Sequence, residues 1–280
     1  MRKSIEQAQK PADTYSAIAT VLDRLGDYHS FLITPEEIAS HSNLPEQEKQ
    51  ELPLGREVFR SIGYLNVPGV SMFDSQFDNE YSSTLQQLIR DIDTRNASAG
   101  WIVDLRNNTG GNMWPMIAGL GPLLGTGNIG FFVYPDGHRT TISYSDGKSF
   151  LNGQVISQVE NPYNMKRTLP PVALLTSKKT ASSGEITLVT FLGRKRTKTF
   201  GESTWGIPTA NAGIFLEDGA RMLLTVGISA DRSGKTYDSA IVPDKRVKID
   251  WANIGNDKDP VIRQASKWLS SIGNFEPGVR

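Results

Sequence analysis

Thr180-Ala181-Ser182-Ser183-Gly184-Glu185-Ile186 sits between an apolar run and a helical pattern. Just before it runs Pro171-Val172-Ala173-Leu174-Leu175-Thr176, a short apolar run whose length and bounding prolines suit a buried strand better than a helix. Just after it, Ile186, Leu188, Val189 and Leu192 recur at helical spacing, and Gly193 offers a stop. Small residues therefore occupy the point where a central strand turns into a helix. A serine there lies near the positive end of the helix, where backbone N–H groups have no intrahelical partner. A nucleophilic hydroxyl wants that setting, because the same N–H groups can receive the oxyanion its attack creates. Serine is also a favoured N-cap, and on these seven residues alone the cap is the commoner reading.

Composition bounds the rest. The 280 residues are 38% hydrophobic and 21% charged, an ordinary globular balance for one large domain or two small ones. Thirty basic and thirty acidic residues cancel, so nothing points to nucleic acid or an anionic membrane as a partner. With no cysteine there is no disulfide, no thiolate metal site and no Cys nucleophile. The start, Met1-Arg2-Lys3-Ser4-Ile5, has no apolar segment behind its positive charges, so neither a signal peptide nor a membrane span is expected in the chain as given. No internal repeat is present.

Upstream of the serine, Gly100-Trp101-Ile102-Val103-Asp104-Leu105 reads as a second buried strand. Ile62–Val67 reads as a third, and Tyr81, Leu85, Leu88, Ile89 and Ile92 mark a long amphipathic helix between the two. Strand–helix–strand implies a parallel pair with a crossover helix. The second strand runs into Arg106-Asn107-Asn108-Thr109-Gly110-Gly111-Asn112, and a helix-like apolar run continues to about Leu124. Adjacent glycines at the carboxyl end of a buried strand allow positive φ and close backbone approach to a ligand, although a plain βα turn explains them equally well. They match neither a dinucleotide nor a phosphate-loop fingerprint, and no cofactor or metal is expected.

Nearer the amino terminus, Tyr15, Ile18, Ala19, Leu22 and Leu25 form a helical stripe with Gly26 as C-cap. Asp27-Tyr28-His29-Ser30-Phe31-Leu32 then turns into a short strand. His29 is one of three histidines, with His41 and His138; a lone histidine among aromatics is more often structural than catalytic. Thr34-Pro35-Glu36-Glu37 reads as a capping box, and the polar Glu46–Glu51 stretch as the boundary of an N-terminal segment. Residues 129–165 change character: Phe131–Tyr134 and Thr140–Tyr144, with turns at 135–138 and 145–148, predict β-hairpins inserted between βα units, leaving His138 solvated. After the serine come a strand at Thr197–Gly201 and a turn at Glu202–Gly206. A hairpin at Gly213–Leu216 and Met222–Val226 follows, then a loop with two carboxylates at Tyr237–Asp244 and a closing helix from Pro260 to Ile272.

Four motifs in order, Asp104-Leu-Arg-Asn-Asn-Thr-Gly-Gly111, Thr180-Ala-Ser-Ser-Gly-Glu185, Gly201-Glu-Ser-Thr-Trp-Gly206 and Val242-Pro-Asp244, resemble the tail-specific (C-terminal processing) serine proteases. The resemblance covers roughly residues 15–35 and 60–250. It implies an α/β, crotonase/Clp-protease-like core of repeated βα units, here with an N-terminal helical segment (1–58) carrying His29, a core (59–128 and 166–280) and a β-hairpin cap (129–165). It also implies Ser182 as nucleophile, an oxyanion hole from the N–H groups of Gly110, Gly111 and Ser183, and no cofactor. Where the Ser-Lys branch of the family has lysine this chain has Ile207, whereas Gly26-Asp27-Tyr28-His29-Ser30 is similar to the segment that supplies histidine in the tricorn-like branch. His29 is then the base, supported by an acid late in the chain: Asp238, with Asp27 and Asp231 as rivals. Trp114 and Trp205 are expected to line a peptide cleft.

No PDZ module fits between Leu32 and Ile62. A narrower similarity, through Thr180–Ser183, the distant histidine and Leu224–Tyr237, is to the membrane-anchored proteases that confer resistance to nisin-type lantibiotics. The implied activity is hydrolysis of extended peptides or unfolded protein C-termini through an acyl-enzyme, outside the cytoplasm, with membrane contact only through an anchor absent from the chain as given. The competing reading is a non-catalytic peptide- or lipid-binding module on the same fold.

Overall fold

The computed structural model describes residues 5–42, 51–59, 61–70, 75–95 and 100–273. In chain order these form Tyr15–Asp23 (α1), Phe31–Ile33 (β1), Pro35–Ser42 (α2), Leu54–Val58 (β2), Ile62–Asn66 (β3), Ser75–Arg95 (α3), Gly100–Asp104 (β4) and Met113–Leu124 (α4). Then come Gly127–Val133 (β5), Arg139–Ser145 (β6), Lys148–Leu151 (β7), Gln154–Gln158 (β8), Val172–Thr176 (β9), Ser183–Phe191 (α5) and Thr197–Gly201 (β10). Thr209–Phe215 (β11), Arg221–Asp231 (β12), Thr236–Tyr237 (β13), Lys245–Arg246 (β14) and Pro260–Gly273 (α6) complete the chain.

Two sheets organise it. The core sheet has the order β14-β10-β9-β4-β3-β2, parallel except for β2, which pairs antiparallel with β3. Every residue of β4 and β9 is buried, the continuous apolar run expected where helices cover both faces of a parallel sheet. Side chains alternate between those faces. Trp101, Val103, Val172 and Leu174 pack with α3, α4 and α5, whereas Ile102, Ala173 and Leu175 pack with Val261, Ile262, Ala265 and Leu269 of α6. The repeated βα units expected from the sequence are present, and the parallel β3–β4 pair with α3 between them is found as read.

The second sheet is antiparallel, in the order β1-β12-β5-β6-β7-β8, with β11 and β13 on the other edge of β12. The hairpins of 129–165 lie between the βα units of β4 and β9, and through the β5–β12 pair they share one sheet with β11 and β12. Leu54–Val58, assigned above to the N-terminal segment, is an edge strand of the core sheet. Glu46–Gln50 of the expected boundary lie outside the described residues.

The capping box is present: Thr34 N–H donates to Glu37 Oε2 (2.8 Å) and Glu37 N–H to Thr34 Oγ1 (3.2 Å). The first helix ends at Asp23, two residues before the expected Leu25, with Gly26 left-handed (φ 71°). Among the described residues no helix is long and apolar enough to cross a membrane.

Candidate active site

Strands β4 and β9 are neighbours, so their carboxyl ends deliver two loops to one point at the sheet's edge. The loop after β9 is short and tied down: Thr180 Oγ1 donates to Leu105 O (2.9 Å) and Ala181 N–H to Asn108 O (3.0 Å). It turns into α5 at Ser182, whose φ of 50° and ψ of −121° put a non-glycine residue in a strained conformation. Such a sharp strand-to-helix turn lifts a serine hydroxyl clear of the backbone.

Glu185 holds the turn. Its fully buried carboxylate accepts N–H bonds from Ser182 (3.0 Å), Gly206 (2.9 Å) and Ile207 (2.8 Å). Burial pushes its carboxyl up from the ordinary value, and these bonds, with one from Thr204, act against that rise by favouring the anion. The segment Trp205–Ile207 is thereby pinned to the serine turn through its backbone.

The loop after β4 lies against this turn. Asn108, fully buried, donates its amide to Val67 O and Pro68 O and accepts the N–H of Gly110 on Oδ1 (3.0 Å). Gly110 and Gly111 both have positive φ (108° and 101°), and a Cβ on Gly110 would meet the Ser182 Cβ at 2.9 Å, so only glycine lets the loops approach this closely. Ser183 Oγ donates to Gly111 O (2.6 Å) and fastens the loops together. Among the described residues the N–H groups of Gly111 and Ser183 have no hydrogen-bond acceptor, while that of Gly110 is taken by Asn108. Of the two glycine N–H groups expected to offer an oxyanion donor beside Ser183, that of Gly111 is the one left without an acceptor.

The other half comes from the antiparallel sheet. Asp27 accepts from His29 N–H (2.9 Å), Ser30 N–H (2.7 Å) and Ser30 Oγ (2.6 Å), closing a tight turn before β1. Ser30 Oγ in turn accepts Thr225 N–H of β12 (2.9 Å), and Asn211 of β11 donates to His29 O (2.9 Å). So held, the His29 ring is only 6% exposed, with Nε2 2.8 Å from Ser182 Oγ and Nδ1 2.6 Å from Thr209 Oγ1. For Nε2 to accept the serine proton the ring keeps its hydrogen on Nδ1, and Thr209 is then the acceptor. Burial lowers the pKa of His29, with Asp27 opposing, which favours the neutral base.

The expected acids are elsewhere. Asp238 is exposed and accepts from Ser239 Oγ (3.1 Å), whereas the partner at His29 Nδ1 is Thr209. Asp231 closes the turn after β12 with Ser233, Lys235 and Tyr237, and Asp27 braces the His29 backbone and not Nδ1. Thr209 carried no signal in the sequence. It starts β11 beside the shift of register between Ala210 and Asn211, and a bulge of this kind re-aims a side chain without a residue pattern to announce it.

A cleft of about 1050 Å³ opens over Ser182 and His29 between α4 and the antiparallel sheet. Trp114, Met113, Phe132, Leu151 and Val226 contribute apolar wall, and no Asp, Glu, Lys or Arg lines it. Trp205 is not part of the wall: its backbone is pinned (Trp205 N–H to Thr180 O, 2.8 Å), and its side chain is turned out, 65% exposed. Asp104 and Arg106, from the same motif as the glycines, also stay out of the cleft. They form a buried ion cluster with Asp259 ahead of α6 (Arg106 Nη2 to Asp104 2.6 Å and to Asp259 2.7 Å). Among the described residues no group of side chains could hold a metal ion.

Comparison with known proteins agrees with this architecture. The model of peptidase family S41 matches residues 61–247. A nisin-resistance protein of Lactococcus lactis subsp. lactis is 30% identical over 260 residues, spanning 89% of this chain and 78% of that protein. Among solved structures, a lipoprotein from Streptococcus agalactiae superposes with a TM-score of 0.78 at 27% identity, over 96% of this chain and 85% of the other. A photosystem II D1 C-terminal processing protease does so with a TM-score of 0.56 at 14% identity, over 88% and 86%, a likeness of fold. The chain belongs to peptidase family S41, and its class of activity is that of a serine peptidase.

Proposed function

We propose that this peptidase cleaves extended, uncharged peptide segments through an acyl-enzyme, with Ser182 as nucleophile and His29 as its base. The carrying observation is the 2.8 Å contact between Ser182 Oγ and His29 Nε2, made by residues 153 apart in sequence and set beside two N–H groups without acceptors. In the first step His29 Nε2 takes the hydroxyl proton as Oγ bonds to the peptide carbonyl carbon. The carbonyl oxygen, now anionic, receives hydrogen bonds from Gly111 and Ser183. Collapse breaks the C–N bond, with His29 returning its proton to the leaving amine. Water, deprotonated by the same ring, then hydrolyses the ester. Thr209 holds the ring in the tautomer this sequence needs, the place an acid takes in a Ser-His-Asp triad.

The likeness to a nisin-resistance protein supports a lantibiotic-like peptide as substrate, and that protein together with the lipoprotein supports work outside the cytoplasm. A binding module would use the same apolar cleft, but a strained serine already bonded to a desolvated imidazole favours hydrolysis. The test is labelling by a fluorophosphonate probe with peptide turnover followed alongside. Labelling of wild type that is lost in Ser182→Ala and falls sharply in His29→Ala is expected. A folded wild type that neither labels nor cleaves would sink the proposal in favour of binding alone.

A further inference from the structure

The antiparallel sheet ends in an edge that bears neither charge nor proline. Strand β8, Gln154-Val155-Ile156-Ser157-Gln158, is the last strand of that sheet, and four of its five residues are exposed. Charge and proline are two of the devices by which native edges avoid pairing, and the strand has neither; its pairing with β7 is interrupted by one shift of register at Ser149/Phe150. Val155 and Ile156 present apolar side chains to solvent (43% and 40% exposed). The position of this edge matters as much as its chemistry. Its first residue, Gln154, pairs with Leu151, which is part of the cleft wall. Its last, Gln158, borders a second groove of about 320 Å³, shared with Asn79, Gln87 and Arg90 on α3. Catalytic cleft, bare edge and polar groove are thus consecutive along one line.

We propose that this line is an exosite: the part of an extended peptide lying beyond the cleft adds to β8 as a further strand, and its far end settles in the groove on α3. This rests on the reading of the cleft as a peptide site. Main-chain pairing would supply affinity with little demand on sequence, as in other strand additions. Five residues of β8 span about 17 Å, so about five residues of peptide are read outside the cleft. The groove suits a peptide better than an anion, since Arg90 already donates to Asn161 O (2.9 Å) and Glu160 lies in the same wall.

Binding to the Ser182→Ala protein, measured by fluorescence anisotropy, tests this without turnover. The probes are an uncharged Val/Thr/Ala peptide long enough to fill the cleft alone and the same peptide lengthened by about five residues at either end. Lengthening at one end should tighten Kd by roughly tenfold, the scale of one or two net hydrogen bonds. The double change Val155→Lys and Ile156→Lys should abolish that gain and leave the Kd of the short peptide unchanged. N-methylation of alternate amides in the extension should do the same with β8 intact, so the test survives a variant that folds poorly. Equal Kd values for short and long peptides, or a gain that survives both changes, overturn the proposal. So does a wild-type dimer in sedimentation that the two lysines dissociate, which would give the edge to a second copy of the chain. Failure of both peptides to bind would instead overturn the peptide reading of the cleft, and the exosite with it.

Discussion

Ser182 and the unbonded N–H groups of Gly111 and Ser183 come from adjacent strand ends of one parallel sheet, whereas His29 and Thr209, 180 residues apart, are held by the other sheet. The first half is held by bonds inside each loop, Asn108 to Gly110 and Glu185 to Ser182, and by one that ties the two loops together, Ser183 to Gly111. The second exists only because β1 and β11 both meet β12 in the right register. A nucleophile and its oxyanion donors must be fixed within a fraction of an ångström, and a local loop cluster achieves that with few degrees of freedom. A base has only to reach the hydroxyl, so a long-range assembly can deliver it. The two halves should therefore fail differently.

The largest effect expected is from Ser182→Ala, which removes the nucleophile and should abolish both probe labelling and turnover. His29→Ala should lower kcat by at least about 10²–10⁴-fold while the thermal midpoint stays close to wild type, because only the base is lost. A His29→Ala protein that unfolds instead would break the comparison, making the histidine part of the scaffold. Glu185→Ala tests the other half. It leaves three half-buried N–H groups without their acceptor and should cost about 1–3 kcal/mol in urea unfolding, with loss of turnover following from the loosened turn. Stability unchanged by that substitution would mean that the serine turn holds itself.

Thr209→Val should lower kcat by roughly tenfold with KM little altered, the scale of one hydrogen bond to the ring. Its pH profile sharpens the assignment. With His29 as the proposed base the neutral imidazole is the active form, so activity should fall as pH drops through the His29 pKa, which burial sets below the ordinary histidine value. Removing an acceptor that favours the cation should move that acid limb lower still in Thr209→Val, and Thr209→Ser should restore it. The smallest effects belong to Asp238→Asn and Trp205→Ala, both exposed and away from the cleft, which should leave kcat within about twofold of wild type. A large loss in Asp238→Asn would restore the acid to the histidine and displace Thr209.

Much of this was legible from residues alone, for physical reasons. The strands 100–104 and 172–176, the crossover helix and the serine turn announce themselves through apolar runs, helical periodicity and small residues, all short-range signals. Glu185 was visible as the last member of a Ser-x-x-Glu pattern, although its grip on Gly206 and Ile207 was not. Residues 209–212 show no strand pattern in the sequence, since Thr-Ala-Asn-Ala has weak strand character, yet they pair with β12 and carry the group on the histidine.

By itself, then, the sequence determined the α/β class, the order of the motifs and the serine at the strand-to-helix turn, because each is written in a few neighbouring residues. Only the tertiary structure decided that Gly110 spends its N–H on Asn108, that Thr209 and not Asp238 stands behind His29, and that β8 lies bare beside the cleft. Those outcomes depend on which of several polar groups arrives at hydrogen-bond distance. Sheet register and long-range packing set that distance, and no local pattern encodes it.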